Sequence, residues 1–204
     1  SGALKNLAAE IPDWDFEKTK KESEAKWEKE LSKIEVETIN EDDKKTFYTA
    51  MYHTMMSPVL YQDVDGKYLD IDQNIHNAKD FTNYTIFSLW DTYRALHPLY
   101  NIIQPKKNND FIKSMLSHAR HSVHKSLPIW SHYANENWCM IGYHSVSVLA
   151  DAVAKNTTDA DLKTMLAASV TSSNLKYYDG IESYLKFGYV PEDKSSSSVS
   201  KTLE

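Results

Sequence analysis

Apolar residues recur at the spacing of a helix face along most of this chain, broken by polar turns. Pro12 and Asp15 precede a Lys/Glu-rich stretch running to about Lys33, in which Trp27, Leu31 and Ile34 share one side. This predicts a surface helix with a solvated charged face. Asn40, with Asp43 three residues on, predicts the cap of a second helix. There Phe47, Tyr48, Met51, Tyr52 and Met55 step at helical spacing to a stop near Pro58, so the two helices form an αα-hairpin.

From Tyr61 to Tyr84 the period changes. Asp63-Val-Asp65-Gly66 reads as a tight turn, flanked by Val59, Leu60, Tyr68 and Ile71 as a small β-hairpin near residues 59–72. Helix resumes at Ser88, whose hydroxyl is placed to cap the Asp91 amide, and runs to about Gln104 before Pro105. Asn108 or Asn109 is the expected cap of the next helix, with Phe111, Met115, Leu116, Ala119 and Val123 inward and an end before Pro128. Helices follow from about Asn137 to Lys155 and from Thr158 to Ser172, with Thr158 and Asp161 as a cap pair. A short helix from Tyr177 to Phe187 stops at Gly188 and Pro191. After the polar run Ser195-Ser-Ser-Ser198, the residues to Glu204 read as the first turn of another helix, which predicts that the chain is a piece of a longer protein.

Paired helices with no strand period longer than a turn predict an all-α fold of stacked αα-hairpins. The hairpins carry no solenoid repeat, which leaves a barrel or toroid whose inner helices present loops to a central cleft. With 29 acidic against 23 basic residues, net charge −6, and no basic stripe, nucleic acid is not an expected partner. No apolar run approaches the roughly 20 residues that cross a bilayer, and Ser1 to Lys5 shows no signal-peptide core, so no membrane partner is expected. The single cysteine, Cys139, excludes an internal disulfide. Thirteen Tyr and five Trp suit aromatic-lined clefts, although aromatics also fill cores.

Two segments carry candidate chemistry. In Phe87-Ser-Leu-Trp90-Asp91-Thr-Tyr-Arg94, an indole beside a carboxylate and a guanidinium is what a sugar site needs. The ring stacks on the apolar face of a sugar and the charged groups bond its hydroxyls. The same residues also suit an ordinary helix start, with Asp91 completing a capping box with Ser88 and Trp90 in the core. The stretch Leu127 to His144 places Trp130, His132, Glu136, Trp138, Cys139 and His144 in a loop and an expected helix start. There Asn135 or Asn137 would be the cap and Glu136 a dipole partner. His118, His121 and His124 align along a helix but lack the Cys or Glu of a tetrahedral zinc set, and read as exposed or partly buried histidines. Asp63, Asp65, Asp70 and Asp72 lack an EF-hand's spacing and read as solvated turn acids. Cys139 with His144 lacks an orienting third group for nucleophilic catalysis. The absence of phosphate-loop and G-x-S-x-G patterns disfavours phosphoryl transfer and serine hydrolysis.

Taken with Phe47-Tyr-Thr-Ala-Met-Tyr52-His53, Asp63-Val-Asp-Gly66, Gly188-Tyr-Val-Pro191 and Ser198-Val-Ser-Lys-Thr-Leu-Glu204, these segments resemble the calcium-dependent exo-α-mannosidases of glycoside hydrolase family ninety-two. The likeness runs from about Leu7 to Glu204, and Ser-Leu-Trp-Asp-Thr-Tyr-Arg and Trp-Cys-Met-Ile-Gly-Tyr-His are its most specific phrases. The resemblance implies that residues 1–204 are the first part of a catalytic (α/α)6 barrel, truncated at its C-terminal side, that follows an N-terminal β-sandwich in the parent chain. It further implies a mannose-containing glycan as substrate, single displacement with inversion, and a secreted, periplasmic or cell-surface parent. Trp90, Asp91, Arg94, Trp138 and Cys139 would line the pocket for the terminal mannose, with Glu136 and His144 as near neighbours. The general acid, the general base and the calcium ligands would lie outside this segment, leaving the fragment inactive by itself. A non-catalytic carbohydrate-binding module, or a helical glycosidase of another sugar specificity, stands as the alternative.

Overall fold

The computed structural model describes residues 1–204. It opens with a helix that sequence periodicity did not reveal, α1 (Gly2–Glu10), whose Leu4 and Leu7 stay largely exposed and which buries no residue. Polar bonds hold it instead: Asn6 donates to Asp63 (2.7 Å) and accepts from the Val64 amide (2.9 Å). The expected hairpin follows as α2 (Phe16–Leu31) and α3 (Glu41–Thr54). Asp15 accepts from the Lys18 amide at 3.0 Å and Asn40 from the Asp42 amide at 3.1 Å, satisfying donors that a helix start leaves free. Trp27 packs on Tyr52, 4.6 Å between ring centroids, and joins the two helices.

The β excursion forms with a different pairing from the one its turn suggested. The turn at Asp63 to Gly66 closes with the Gly66 amide donating to the Asp63 carbonyl (2.8 Å), and Gly66 takes φ +80°, which suits glycine. Yet β1 (Val59–Leu60) pairs antiparallel with β4 (Tyr84–Thr85), while β2 (Lys67–Leu69) pairs with β3 (Ile75–Asn77). Asp70 leaves the solvated set: it is buried and accepts from Ser117 (2.9 Å) and the Ile71 amide (2.7 Å), with His121 at 2.8 Å.

The helix expected from Ser88 to Gln104 is broken into α4 (Leu89–Thr92) and α5 (Leu96–Ile103) around Ala95. Ser88 caps no amide; its hydroxyl donates to the Asp91 carboxylate instead. Helix α6 (Pro105–His121) starts with proline at its first position, which needs no amide partner, so neither Asn108 nor Asn109 is its cap. Val123 is 91% exposed, beyond the helix end, rather than inward. Helix α7 (Ser145–Ala154) begins well after Asn137, α8 (Leu162–Ser173) is capped by Asp161 alone, and α9 (Ile181–Phe187) ends at Gly188 with φ +77°. Thr158 donates to Asn109 (2.7 Å) instead. A 3₁₀ turn (Glu192–Lys194) and α10 (Ser198–Leu203) complete the chain.

The core sits on α6. Phe111, Ile112, Met115, Leu116 and Ala119 pack with Phe87, Leu89, Tyr100, Leu127, Val148, Leu149, Ala152, Met165 and Ala168. Phe111 is ringed by Tyr84, Phe87, His97 and Tyr100, with centroids 4.7, 6.1, 5.9 and 5.7 Å away. Beside it runs a buried polar ladder. His97 Nδ1 meets Asn108 Oδ1 at 2.8 Å, Asn108 donates to Asn101 (2.8 Å), and Asn101 donates to Asp151 (2.8 Å), tying α5 to α6 and α7.

Burial pushes the pKa of His97 from its ordinary 6.5 to about 4, against the smaller raising effect of Asn108. A depressed imidazole pKa favours the neutral form in the fold, so its contribution is present above pH 6.5, falls as the unfolded chain takes up the proton below that, and is gone below about 4. Denaturant unfolding at about pH 7.5 and at about pH 4 should differ by on the order of 3 kcal/mol from this group, and by less in His97→Gln. Equal midpoints in the wild-type chain would show that His97 takes up its proton in the fold.

Candidate functional site

Two loops on one side of the core carry the residues that the sequence singled out. The first is set by main-chain bonds between its own segment and the second: the Phe87 amide donates to Ser131 O (3.0 Å) and the Leu89 amide to Ile129 O (3.5 Å). Ile86, a β-branched residue, is held at φ +64°, which swings the chain out of β4. Phe87 and Leu89 are drawn into the core, so Trp90, Asp91 and Arg94 are left toward the surface.

Trp90, Arg94 and His144 converge. The Arg94 guanidinium carbon lies 4.8 Å from the centroids of both Trp90 and Tyr93. The His144 ring stacks on Tyr93 at 4.0 Å and 1°. Glu204, which sequence reasoning did not single out, joins this group: its carboxylate oxygens lie 3.6 Å from Arg94 Nη2 and 2.9 Å from His144 Nε2. The last approach is close but misaligned for a hydrogen bond, so His144 Nε2 is left without a hydrogen-bond partner. Burial lowers the His144 pKa, Glu204 opposes this and Arg94 reinforces it, so the ring is neutral at pH 7. The Trp90 Nε1–H is buried without a protein acceptor, a donor available to a hydroxyl. Asp91 is exposed and engaged only by Ser88.

Trp138 and Glu136 form a second group. Trp138 packs on Tyr177 and Tyr178, 5.2 and 5.9 Å between centroids, and on His124 at 5.5 Å. The Tyr178 hydroxyl donates to Met140 O, and burial raises its pKa far above the ordinary phenol value. Glu136 is turned inward, with the amides of Ile129, Trp130 and Trp138 donating to its carboxylate at 2.9, 2.8 and 3.0 Å. It is therefore no helix-dipole partner, and neither Asn135 nor Asn137 caps a helix, since residues 137–144 are loop. Tyr133, Ala134, Trp138 and Met140 all take positive φ within this loop, a concentration of backbone strain of the kind found at functional sites. Cys139 is exposed and free.

A cavity of about 430 Å³ is lined by Glu204, Tyr178, Gly142, Asp179, Tyr184 and Lys201, and none of Trp90, Asp91, Arg94, Glu136, Trp138, Cys139 and His144 lines it. Gly142 has φ +79°, and a Cβ there would stand 2.5 Å from His144 Nε2, so glycine keeps the imidazole in place. Gly142→Ala is expected to displace His144 and lower the melting temperature by several degrees, read by thermal unfolding; an unchanged melt would show that the loop tolerates a side chain.

No three or more His, Cys, Asp or Glu side chains are grouped to hold a metal ion. Asp63, Asp65, Asp70 and Asp72 each have a partner, in Asn6, Lys67, Ser117 and His76 respectively. His118 is buried, against the exposed or partly buried position expected, and His124 lies beyond the end of α6.

Residues 2–204 match the glycosyl hydrolase family 92 catalytic domain. A family GH92 α-mannosidase from Bacteroides thetaiotaomicron in complex with mannoimidazole is 49% identical, with a TM-score of 0.95 across 100% of this chain and 26% of its own. A family GH92 inverting mannosidase from the same species is 29% identical at a TM-score of 0.92, over 100% of this chain and 28% of its own. An uncharacterized secreted glycosidase of Arthroderma benhamiae is 32% identical over 96 residues, 45% of this chain and 11% of that protein. The chain thus spans about a quarter of the length of the solved structures it resembles.

Proposed function

The chain belongs to glycosyl hydrolase family 92, and on that footing we propose that its parent protein is an exo-acting α-mannosidase that removes terminal α-linked mannose from glycans. Its stacked hairpins are part of the (α/α)6 barrel of that family, and in this reading residues 1–204 are completed in the parent by the rest of the barrel and a β-sandwich. The observation that carries the reading is the 49% identity over the whole chain to an α-mannosidase solved with mannoimidazole.

Trp90 offers a stacking face and an unpartnered indole N–H, Arg94 and Asp91 offer charged hydrogen bonds, and Trp138 and Cys139 stand on the loop after Ile129. These groups bind and orient the terminal mannose, with Glu136 and His144 beside them. Reaction is by single displacement with inversion, in which an acid protonates the leaving oxygen and a carboxylate roughly 6.5–9.5 Å away activates water. Calcium belongs to the complete enzyme. A relative named as a secreted glycosidase supports placing the parent outside the cytoplasm, as a secreted, periplasmic or cell-surface protein.

The test is mannose release from an α-linked mannobiose by the full-length protein and by residues 1–204, with calcium and with a chelator, following the product anomer by NMR. Calcium-dependent release of β-mannose by the full-length protein alone is expected. Release by neither would return the chain to a carbohydrate-binding role.

A further inference from the structure

The Glu136 carboxylate is 5% exposed and lies beneath the loop that carries Trp130 and Trp138. Oε2 accepts from the Ile129 amide and Oε1 from those of Trp130 and Trp138. A carboxylate offers about four lone-pair sites, so three amides occupy most of its capacity and leave little to offer a sugar. The bonds join the two arms of the loop, which close again at the Ser131 to Glu136 bridge and through the His132 amide on Asn135 O (2.7 Å). On its inner side the carboxylate lies 3.7 Å from His118 Nε2 of α6, beyond hydrogen-bond reach. Trp138 sits at φ +55°, a conformation that L residues avoid, and its amide is one of those Glu136 holds.

We propose that Glu136 is a positioning residue, clamping the loop from Ile129 to Trp138 so that the Trp138 indole is fixed toward the sugar. This rests on the mannosidase reading above. The carboxylate does not touch substrate but acts through the amide of the residue that does. An amide side chain of the same shape would turn an NH₂ toward at least one of the three N–H groups, so Glu136→Gln breaks the clamp without changing volume.

The experiment compares Glu136→Gln with wild type in the full-length protein by steady-state kinetics on α-linked mannobiose and by amide hydrogen exchange across residues 129–138. Exchange in that loop should quicken by roughly tenfold or more, as expected for loss of a hydrogen bond to a charged group. KM should rise by a similar factor, with kcat and the pH profile little changed, the pattern of lost uniform binding. A collapse of kcat with an altered pH limb, exchange being unchanged, would make Glu136 a substrate contact or a proton carrier and overturn the proposal. A lowered melting temperature with KM unmoved would reduce the carboxylate to a fold element and overturn it equally. Should Glu136→Gln not fold, Trp138→Phe must raise KM with kcat retained; an unmoved KM there overturns the proposal. The exchange measurement stands even if the wild-type protein releases no mannose, so failure of the mannosidase reading and failure of the clamp are distinguishable.

Discussion

Replacing Asp91 by alanine in the full-length protein is expected to lower kcat/KM for mannose release by at least roughly 10- to 150-fold, the equivalent of a charged hydrogen bond worth about 1.5–3 kcal/mol. The structure makes the measurement decisive, because Asp91 is exposed and bonded only to the Ser88 hydroxyl. A carboxylate so placed contributes little to folding, so the variant should keep its thermal stability while losing activity. Ser88→Ala supplies the control: it removes the hydroxyl and leaves the carboxylate in place. Wild-type kinetics in Asp91→Ala would reduce Asp91 to a partner for Ser88.

Phe111→Ala should be the most destabilising single change in the chain, at about 3–5 kcal/mol. The ring is 1% exposed and meets two tyrosines, a phenylalanine and an imidazole, so its removal opens a cavity that three different elements would have to collapse to fill. For a chain of this size the melting temperature should fall by roughly 6–20 °C. Denaturant titration gives the free energy directly, and a loss under about 1 kcal/mol would mean that the neighbouring rings close over the gap.

How much of this was legible in the sequence varied with how local the cause was. The face of α6 was readable because Phe111, Met115, Leu116 and Ala119 repeat at helical spacing. Its start was misread because Asn108, a residue type that favours caps, is instead drawn into the ladder with His97 and Asn101. Residues 137–144 look helical by the spacing of Trp138 and Ile141, yet the Glu136 carboxylate takes the Trp138 amide and positive φ at Trp138, Met140 and Gly142 prevents a helical path. The candidate site was visible as two aromatic phrases and as a family likeness. The meeting of Arg94 and His144 at Glu204 was not, because it joins residues far apart in the chain through packing alone.

The buried ladder has a further consequence for how the molecule opens. Sliding α6 along α5 by one turn would strand Asn108 and His97 in an apolar surround, so intermediate registers are forbidden and the three ladder helices must come apart together. Helices α1 and α2 bury no residue and hold by polar bonds and a single aromatic contact, so they can fray without disturbing that block. The fold thus joins a cooperative block under the loops that carry Trp90 and Trp138 to an N-terminal fringe whose opening need not disturb it.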